Sequence, residues 1–339
     1  MDSITQIALG AAAGEAVMHN KVGRKASMWG AVCGTLPDLD VFIPLGDPVS
    51  DFTYHRAASH SIFFMTLATP LIVWLITRIH PETRIHRRRW ALLVWLALVT
   101  HALLDSFTVY GTQIFLPFSN FPVGWSTIFV IDPLYTIPLA VGVSAFFWLK
   151  QAPSRAFRLN IYGLVLSSLY LAWSVGVQTY VSGLARESLQ EQKISASQLI
   201  TGPAPFNTVL WRTVAMTDSG YAEGFYSLLD KNNAIRFTHY PSDRKLLTPL
   251  ANEWTVQRLQ WFSKGFYKVS RVGEDIVLAD LRMGLEPLYF FSFAVGRSTT
   301  AGIVQQNPRQ LEPPELDMGA SMARLWRRIW DEDILVLYE

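Results

Sequence analysis

The segment at residues 61–79 reads SIFFMTLATPLIVWLITRI and carries a single charged residue, Arg78, next to its end. Because a helix of roughly 20 apolar residues crosses the hydrocarbon core of a bilayer, this segment predicts a transmembrane helix. Similar runs recur further along the chain, so we expect a bundle rather than a single anchor. The matching runs lie at residues 90–105, 129–149 and 159–181.

Two weaker apolar runs, at residues 4–18 and 26–44, precede these segments and are rich in Gly and Ala. Glu15 and the motif Pro37-Asp38-Leu39-Asp40 interrupt them, so each run could span the membrane or enter it and return. Small side chains let membrane helices approach closely, and we therefore expect the first run inside the bundle. No basic residues precede it, which predicts a retained helix rather than a cleaved signal peptide.

The composition changes along the chain. Half of the 339 residues are hydrophobic and 17% are charged, against about 25% charged in typical soluble domains. The apolar runs end near Val181, and the remainder has the mixed composition of a globular domain. The sequence therefore predicts a multi-span α-helical membrane domain at residues 1–182, followed by a soluble α+β domain at residues 183–339.

The second domain opens with an amphipathic stretch at residues 184–199, which we expect to be helical, and a loop at Gly202-Pro203-Ala204-Pro205. Two later segments, 247–262 and 318–330, also predict helices; the second has an apolar stripe at Met322, Leu325 and Ile329. Alternating or β-rich runs predict the strands. These lie at residues 208–216, 224–229, 235–239, 266–272, 276–280 and 288–295.

Short basic clusters mark alternate connections between the apolar segments. Cytoplasmic loops of membrane proteins are enriched in Lys and Arg, so the clusters should face the cytoplasm of a bacterial inner membrane. The connections at residues 38–60 and 106–128, and the C-terminal domain, then face the periplasm. Four spans instead of six would change only the side of the N-terminus. The clusters are Lys21/Arg24/Lys25, Arg78/Arg84/Arg87/Arg88/Arg89 and Lys150/Arg155/Arg158.

Charge and cysteine content exclude some classes of function. The formal net charge of +2 is too small to indicate nucleic-acid binding. Cys33 is the only cysteine, which excludes an intramolecular disulfide framework and a Cys-based zinc site.

Histidines and aspartates instead gather at the predicted periplasmic face, contributed by three separate segments. His101 and Asp105 are four residues apart on a predicted helix, so their side chains project from one side of it. Aspartates inside a membrane cost about 2.5 to 3.5 kcal/mol on insertion scales, so they normally face a cavity, an ion or each other. We therefore predict a metal site. Its candidate ligands are Asp38, Asp40, His55, His60, His101 and Asp105.

Imidazole and carboxylate ligands together suit zinc first, with manganese or iron as alternatives. Such a site hydrolyses esters by activating a bound water and polarising the scissile group. Arg56 could hold a phosphate oxygen. Whichever of Asp40 and Asp105 is not a ligand could act as the general base.

Each motif also has a purely structural interpretation. His101 and Asp105 could form a hydrogen-bonded pair between helices, and Pro37-Asp38-Leu39-Asp40 could be an interfacial turn. Arg56 could anchor a lipid headgroup or pair with an aspartate. The convergence of three segments on one membrane face is what favours the metal site.

The motifs resemble those of the YdjM-like family of membrane-bound metal-dependent hydrolases. The matching segments are Pro37-Asp38-Leu39-Asp40, His55-Arg56-Ala57-Ala58-Ser59-His60-Ser61, His101-Ala102-Leu103-Leu104-Asp105 and Thr108-Val109-Tyr110-Gly111. An early histidine of the family pattern is missing, because this sequence reads Ile4-Thr5-Gln6. Asp2 or Gln6 is the candidate substitute. The resemblance covers the first half of the chain and implies a multi-helix inner-membrane hydrolase, while the second half resembles a longer subgroup.

Two hypotheses follow from these observations. In the first, the protein hydrolyses an ester or phosphoester of a lipid or lipid-linked molecule, because its site lies at membrane level. In the second, it is not an enzyme, and the polar cluster serves ion or lipid handling or merely belongs to an anchor for a C-terminal binding domain. Both make the lipid bilayer the principal partner.

Overall fold

The computed structural model describes residues 1–149, 151–313 and 317–334. Lys150, part of the third basic cluster, lies outside the described residues. The N-terminal half is helical, and each apolar run of the sequence forms a helix. The helices are α1 (Ser3–Met18), α2 (Lys25–Thr35), α3 (Pro48–Tyr54), α4 (Ile62–Ile79), α5 (Arg87–Ser106), α6 (Pro133–Trp148) and α7 (Pro153–Glu191). Short 3₁₀ helices occupy Leu36–Phe42, Ala58–His60 and Pro81–His86.

Three helical segments are long and apolar enough to cross a membrane: Ile62–Ile79, Pro81–Ser106 and Pro153–Glu191. In the first, only 28% of the residues are buried within the protein, so most of its apolar surface faces outward. The second is 61% buried and occupies the centre of the bundle. Helix α6 is a shorter apolar helix. The predicted helical membrane region is therefore confirmed.

Helices α1 and α2 pack at very short range through glycines. A Cβ atom added at Gly10 would lie 2.2 Å from the backbone oxygen of Gly30, and one added at Gly34 would lie 2.5 Å from that of Gln6. Only glycine permits this approach. Towards the other end of the helix pair, Ser27 donates a hydrogen bond to the buried Glu15.

The C-terminal region consists mainly of two antiparallel four-stranded sheets. In the first, the order is β1 (Gln198–Pro203), β2 (Leu210–Thr217), β3 (Gly220–Ser227) and β4 (Phe237–Pro241). The second sheet contains β5 (Tyr267–Val272), β6 (Asp275–Asp280), β9 (Ser292–Thr299) and β10 (Gly302–Leu311), in the order β10-β9-β6-β5. Strands β7 (Gly284–Leu285) and β8 (Leu288–Tyr289) form a small ribbon. Helices α8 (Trp254–Phe262) and α9 (Met318–Arg328) complete the region, with a 3₁₀ helix at Arg244–Leu250.

The expected helix at residues 184–199 is wrong in its second half. Helix α7 runs without a break from the last apolar segment to Glu191, and strand β1 begins at Gln198. The expected loop at Gly202-Pro203-Ala204-Pro205 is likewise partly strand, because β1 extends to Pro203 and pairs it with Trp211. Proline is tolerated there because β1 is an edge strand of its sheet.

The described chain forms two compact units. Among the described residues, the first comprises 1–43, 54–149, 151–175 and 205–207, and the second comprises 44–53, 176–204, 208–313 and 317–334. In the first unit, α5 supplies the centre of the apolar core, including the fully buried Trp90 and Leu93. In the second, Trp211 of β2 packs with Val181 and Ala185 of α7.

Candidate metal centre

Four predicted ligands converge in the first unit: Asp38, His60, His101 and Asp105. Each offers one ligand atom, and these four atoms all lie within 4.8 Å of one another. The two histidines and Asp105 are fully buried, whereas Asp38 is partly exposed. The 3₁₀ helix Leu36–Phe42, the 3₁₀ helix Ala58–His60 and helix α5 each contribute to the group.

Five of the six distances between the ligand atoms of this group lie between 3.1 and 3.4 Å. The Nε2 atoms of His60 and His101 are 3.1 Å apart. Asp38 Oδ1 lies 3.3 and 3.4 Å from these two nitrogens, and Asp105 Oδ2 lies 3.2 and 3.4 Å from them. A tetrahedron of ligands at the zinc distance of about 2.0 Å has edges of about 3.3 Å. These five distances match the edges of such a tetrahedron, and all four ligand atoms lie within 4.8 Å of one another, so the group could hold a metal ion.

Two carboxylate oxygens of the group lack a well-aligned hydrogen-bond donor. Asp38 Oδ1 and Asp105 Oδ2 are buried without one, although Asp105 Oδ2 forms an ion pair with Arg56 Nε at 3.3 Å. A buried carboxylate oxygen without a donor costs on the order of 1–3 kcal/mol or more, because it has lost its hydration. Both oxygens point at the two histidine Nε2 atoms, so a cation at the centre of the group would satisfy them together.

His101 is oriented by a backbone carbonyl. Its Nδ1 lies 2.6 Å from the carbonyl oxygen of Gly34. A carbonyl can only accept a hydrogen bond, so Nδ1 carries the proton and the Nε2 lone pair faces the centre of the group. This arrangement, in which the second ring nitrogen donates to a fixed acceptor, is the usual one for a metal-binding histidine. The close packing of α1 and α2 brings Gly34 to this position.

His60 is oriented by a hydroxyl group. The Ser59 hydroxyl donates to Asp40 Oδ2 at 2.5 Å, and its oxygen lies 2.9 Å from His60 Nδ1. Because the hydroxyl proton is used on Asp40, the oxygen accepts from Nδ1–H of His60. The lone pair of His60 Nε2 therefore also points to the centre.

Asp105 is held through its other oxygen. Oδ1 accepts hydrogen bonds from the Gln6 side-chain amide, at 3.0 Å, and from the amino group of Met1. Gln6 thus contacts a member of the group without being one of the four. Asp2, the other candidate substitute for the missing histidine, instead caps α1 by accepting from the backbone N–H of Thr5.

Asp40 and His55 lie beside the four-residue group and form a pair with each other. Asp40 Oδ1 is 2.7 Å from His55 Nδ1, while Oδ2 also accepts from the backbone N–H of Arg56 at 3.0 Å. Burial tends to raise the pKa of Asp40, but the hydrogen bonds from His55 and Ser59 outweigh it and hold that pKa below its ordinary value. The His55 ring centroid is 6.1 Å from that of His60.

Arg56 places a buried positive charge against the group. Its Nε lies 3.3 Å from Asp105 Oδ2, and its Nη1 donates to the Thr108 hydroxyl at 3.3 Å. The guanidinium lies over the ring of Tyr110, 5.0 Å from the centroid. The Arg56 backbone has φ +63°, a left-handed conformation that is rare for residues other than Gly, Asn and Asp. The hydrogen bond from its N–H to Asp40 helps to hold that conformation.

Some contacts of the site had no signal in the sequence. The amino group of Met1, the carbonyl of Gly34 and the amide of Gln6 reach the group because the N-terminal segment, α1 and α2 pack against α5. Ser59 lies within the quoted motif, so its place next to His60 was visible, but its role in linking His60 to Asp40 was not.

Comparison with known proteins agrees with the N-terminal motifs. A protein of Bacillus subtilis (strain 168), the uncharacterized protein YfhP, is 28% identical over 251 residues, which cover 69% of this chain and 72% of that protein. No solved structure matches the chain significantly. The model of the YdjM inner membrane protein family matches residues 1–181. That match spans more than half of the 339 residues, and the chain therefore belongs to the YdjM inner membrane protein family.

Proposed function

We propose that the protein is a metal-dependent hydrolase of the inner membrane that cleaves an ester or phosphoester of a lipid or lipid-linked substrate. The observation that carries this proposal is the buried group of four ligand atoms from Asp38, His60, His101 and Asp105. The two imidazole nitrogens are 3.1 Å apart, and each carboxylate oxygen lies 3.2–3.4 Å from both of them. Membership of an inner membrane protein family supports the location.

The proposed ligands are His60 Nε2, His101 Nε2, Asp38 Oδ1 and Asp105 Oδ2. Two imidazoles with two carboxylates suit zinc, and also manganese or iron. A bound ion of this kind supplies a water with a pKa of about 7 and a positive charge that polarises the scissile group.

We propose that Asp40 and His55 handle the proton of that water. Both oxygens of Asp105 are directed to other groups, whereas Asp40 is bonded to the imidazole of His55 at 2.7 Å. A carboxylate bonded to Nδ1 leaves Nε2 of the same ring as the proton acceptor. We therefore assign the general base to Asp40 acting through His55, and Asp105 to the metal.

Arg56 is the proposed anion-binding residue. Its guanidinium already lies next to Asp105 and is held against Tyr110. Guanidinium groups bind phosphate and carboxylate oxygens through parallel N–H donors. A phosphoester oxygen bound at Arg56 would place the phosphorus next to the four-ligand group.

The surface at the mouth of the site favours a substrate with an apolar part. Asp38 and Asp40 are partly exposed, and they alternate with the exposed apolar residues Leu39 and Val41. A small hydrophilic ester would gain no binding energy from apolar contact with these side chains. Because basic clusters are expected to face the cytoplasm, we propose that the site faces the periplasm and that the C-terminal domain is periplasmic.

Elemental analysis of the full chain, purified in detergent, tests the metal site directly. We expect about one transition-metal ion per chain in the wild type, as for a four-ligand site, and at least a tenfold loss in His101→Ala and Asp38→Ala. The matched control is His86→Ala, because His86 lies in the 3₁₀ helix Pro81–His86, next to the second basic cluster. This variant should retain the ion. Wild-type metal content in His101→Ala would contradict the proposal.

A closed structural metal site is the second candidate, favoured by one observation. The protein already offers four ligands, and four-coordinate sites with no open position are usually structural. A panel of chromogenic phosphodiesters and carboxylic esters of increasing chain length separates the two candidates. Turnover that is lost in Asp40→Asn while the metal is retained supports the hydrolase. One ion per chain with no turnover of any ester supports the structural site.

A further inference from the structure

Two exposed apolar segments flank the candidate metal centre in the first unit. The first is residues 39–43, whose side chains Leu39, Val41, Phe42 and Ile43 are exposed; the second is residues 115–121, which exposes Phe115, Phe118 and Phe121. We name these two segments the apolar collar. Phe42 is 78% exposed and Phe118 is 81% exposed.

Water is an unfavourable environment for such a surface. Burying a phenylalanine side chain is worth about 1.5–3 kcal/mol relative to leaving it in water, and soluble proteins rarely expose contiguous apolar patches of this kind. The collar therefore requires an apolar partner. The candidates are the lipid of the bilayer, a second copy of the chain and another protein.

The second segment is continuous with the outward-facing surface of a membrane span. The Phe118 ring packs edge-on against Phe63, in the first turn of α4, with ring centroids 5.5 Å apart. The Ser61 hydroxyl donates to the carbonyl of Leu116, and the N–H of Ile62 donates to the carbonyl of Ile114. These bonds fix the segment to the beginning of α4. The lipid-facing surface of the span thus extends into the collar without a polar interruption at Phe63.

The length of α4 is consistent with such an extension. Its 18 residues span about 27 Å at 1.5 Å per residue, whereas the hydrocarbon core is about 30 Å thick. A short span must thin the bilayer or gain apolar height from neighbouring groups. The collar adds that height at the end of α4 where His60 is located, two residues before the helix begins.

We propose that the apolar collar is inserted into the leaflet and binds its acyl chains. The mouth of the candidate metal centre then opens at the level of the lipid headgroups rather than into bulk water. This inference concerns the surface alone and holds whether or not the centre binds a metal or catalyses a reaction.

Spin labels at single cysteines test the proposal in the full chain. Cys33 is the only cysteine and is buried, so Cys33→Ser gives a cysteine-free background. Labels are introduced by Phe118→Cys and, as a smaller change on the other segment, by Val41→Cys. Trp74→Cys, on the exposed face of α4, serves as the lipid reference, and Lys231→Cys, on the exposed surface of the second unit, serves as the aqueous reference.

The protein is reconstituted in vesicles of phosphatidylethanolamine and phosphatidylglycerol, and the accessibility of each label to oxygen and to a water-soluble nickel chelate is measured. We expect both collar labels to give an oxygen-to-nickel accessibility ratio close to that of the Trp74→Cys label. A ratio equal to that of Lys231→Cys would overturn the proposal. Labels shielded from both reagents would also overturn it, because they would indicate a second copy or another protein on the collar.

Discussion

At the scale of single residues, the candidate centre depends on groups that are not ligands themselves. His101 is oriented by the carbonyl of Gly34, and His60 by the hydroxyl of Ser59. Asp105 is held by the amide of Gln6. Each contact fixes a ligand atom before an ion arrives, which lowers the entropic cost of binding. Metal binding at the candidate centre should therefore depend on Gly34, Ser59 and Gln6 as well as on the four ligands.

Ser59→Ala tests this orientation. Without the hydroxyl, His60 Nδ1 loses its acceptor at 2.9 Å, and the next group, Asp40 Oδ2, lies 3.7 Å away. We expect zinc affinity to fall about 10–100-fold, as is typical when a partner of a ligating histidine is removed. Competition with a chelating dye measures the change. Ser168→Ala is the control, since that hydroxyl donates only to the Leu164 carbonyl in its own helix. Unchanged affinity in Ser59→Ala would mean that the hydroxyl does not orient His60.

Lys264 gives the second unit a pH-dependent stability. Burial, and then the charge of Arg282, lower the pKa of Lys264 to about 8. Between pH 8 and the ordinary lysine pKa of about 10.4, the unfolded chain binds more protons than the folded one, so the free energy of unfolding rises with pH. Lys264→Met should reduce this rise. Denaturant unfolding of the full chain in detergent at pH 7 and pH 9.5 measures the change in the free energy of unfolding. An equal change in the wild type and in Lys264→Met would contradict the prediction.

At the scale of helices and strands, hydrophobic pattern predicted α4 and α5 within a few residues, whereas α7 extends beyond its apolar run at both ends. The runs at residues 61–79 and 90–105 form α4 and α5, because a long apolar run has few alternatives in a membrane protein. Strands β1 and β10 were missed. Both lie at sheet edges and contain polar residues and a proline, and β10 also carries a register shift between Gln305 and Arg309. Edge strands of this kind lack the apolar alternation that identifies central strands.

The glycine contact between α1 and α2 leaves no space for a larger side chain. In Gly30→Ala the new Cβ would lie 2.2 Å from the carbonyl oxygen of Gly10, so the two helices must separate. We expect a loss of about 1–3 kcal/mol in the free energy of unfolding, as for other overpacked sites, together with weaker zinc binding, because Gly34 would move away from His101. Denaturant unfolding in detergent and dye competition measure the two effects.

Gly176→Ala is the matched control for this substitution. Gly176 also lies within a helix, α7, but a Cβ atom there would meet nothing within 4 Å. Replacing a helical glycine by alanine in open space should leave the protein unchanged or stabilise it by about 0.5–1 kcal/mol. Equal losses in the two variants would show that the α1–α2 approach is not the cause.

At the scale of the whole molecule, sequence predicted the residues of the centre better than its geometry. The convergence of three segments on one face identified Asp38, His60, His101 and Asp105, because paired ionisable residues in or beside a membrane segment require a partner. The sequence pattern could not show that Asp40 and His55 lie beside these four residues rather than among them. That distinction depends on which side-chain atom faces the centre, and tertiary contacts such as the bond between Asp40 and His55 decide it.

The two-unit organisation predicts where zinc will stabilise the chain. A ligand that binds only the folded state adds about 2.7 kcal/mol at 100 times its dissociation constant, which slows exchange through local opening about 100-fold. All four proposed ligands lie in the first unit. Zinc should therefore slow hydrogen exchange in peptides from Leu36–Phe42 and from the end of α5, and leave peptides from β2 and β3 unchanged. Mass spectrometry of the full chain in detergent, with zinc or with a chelator, measures both sets. His101→Ala should abolish the difference, whereas equal slowing in the sheet peptides would show that zinc binds elsewhere or couples the two units.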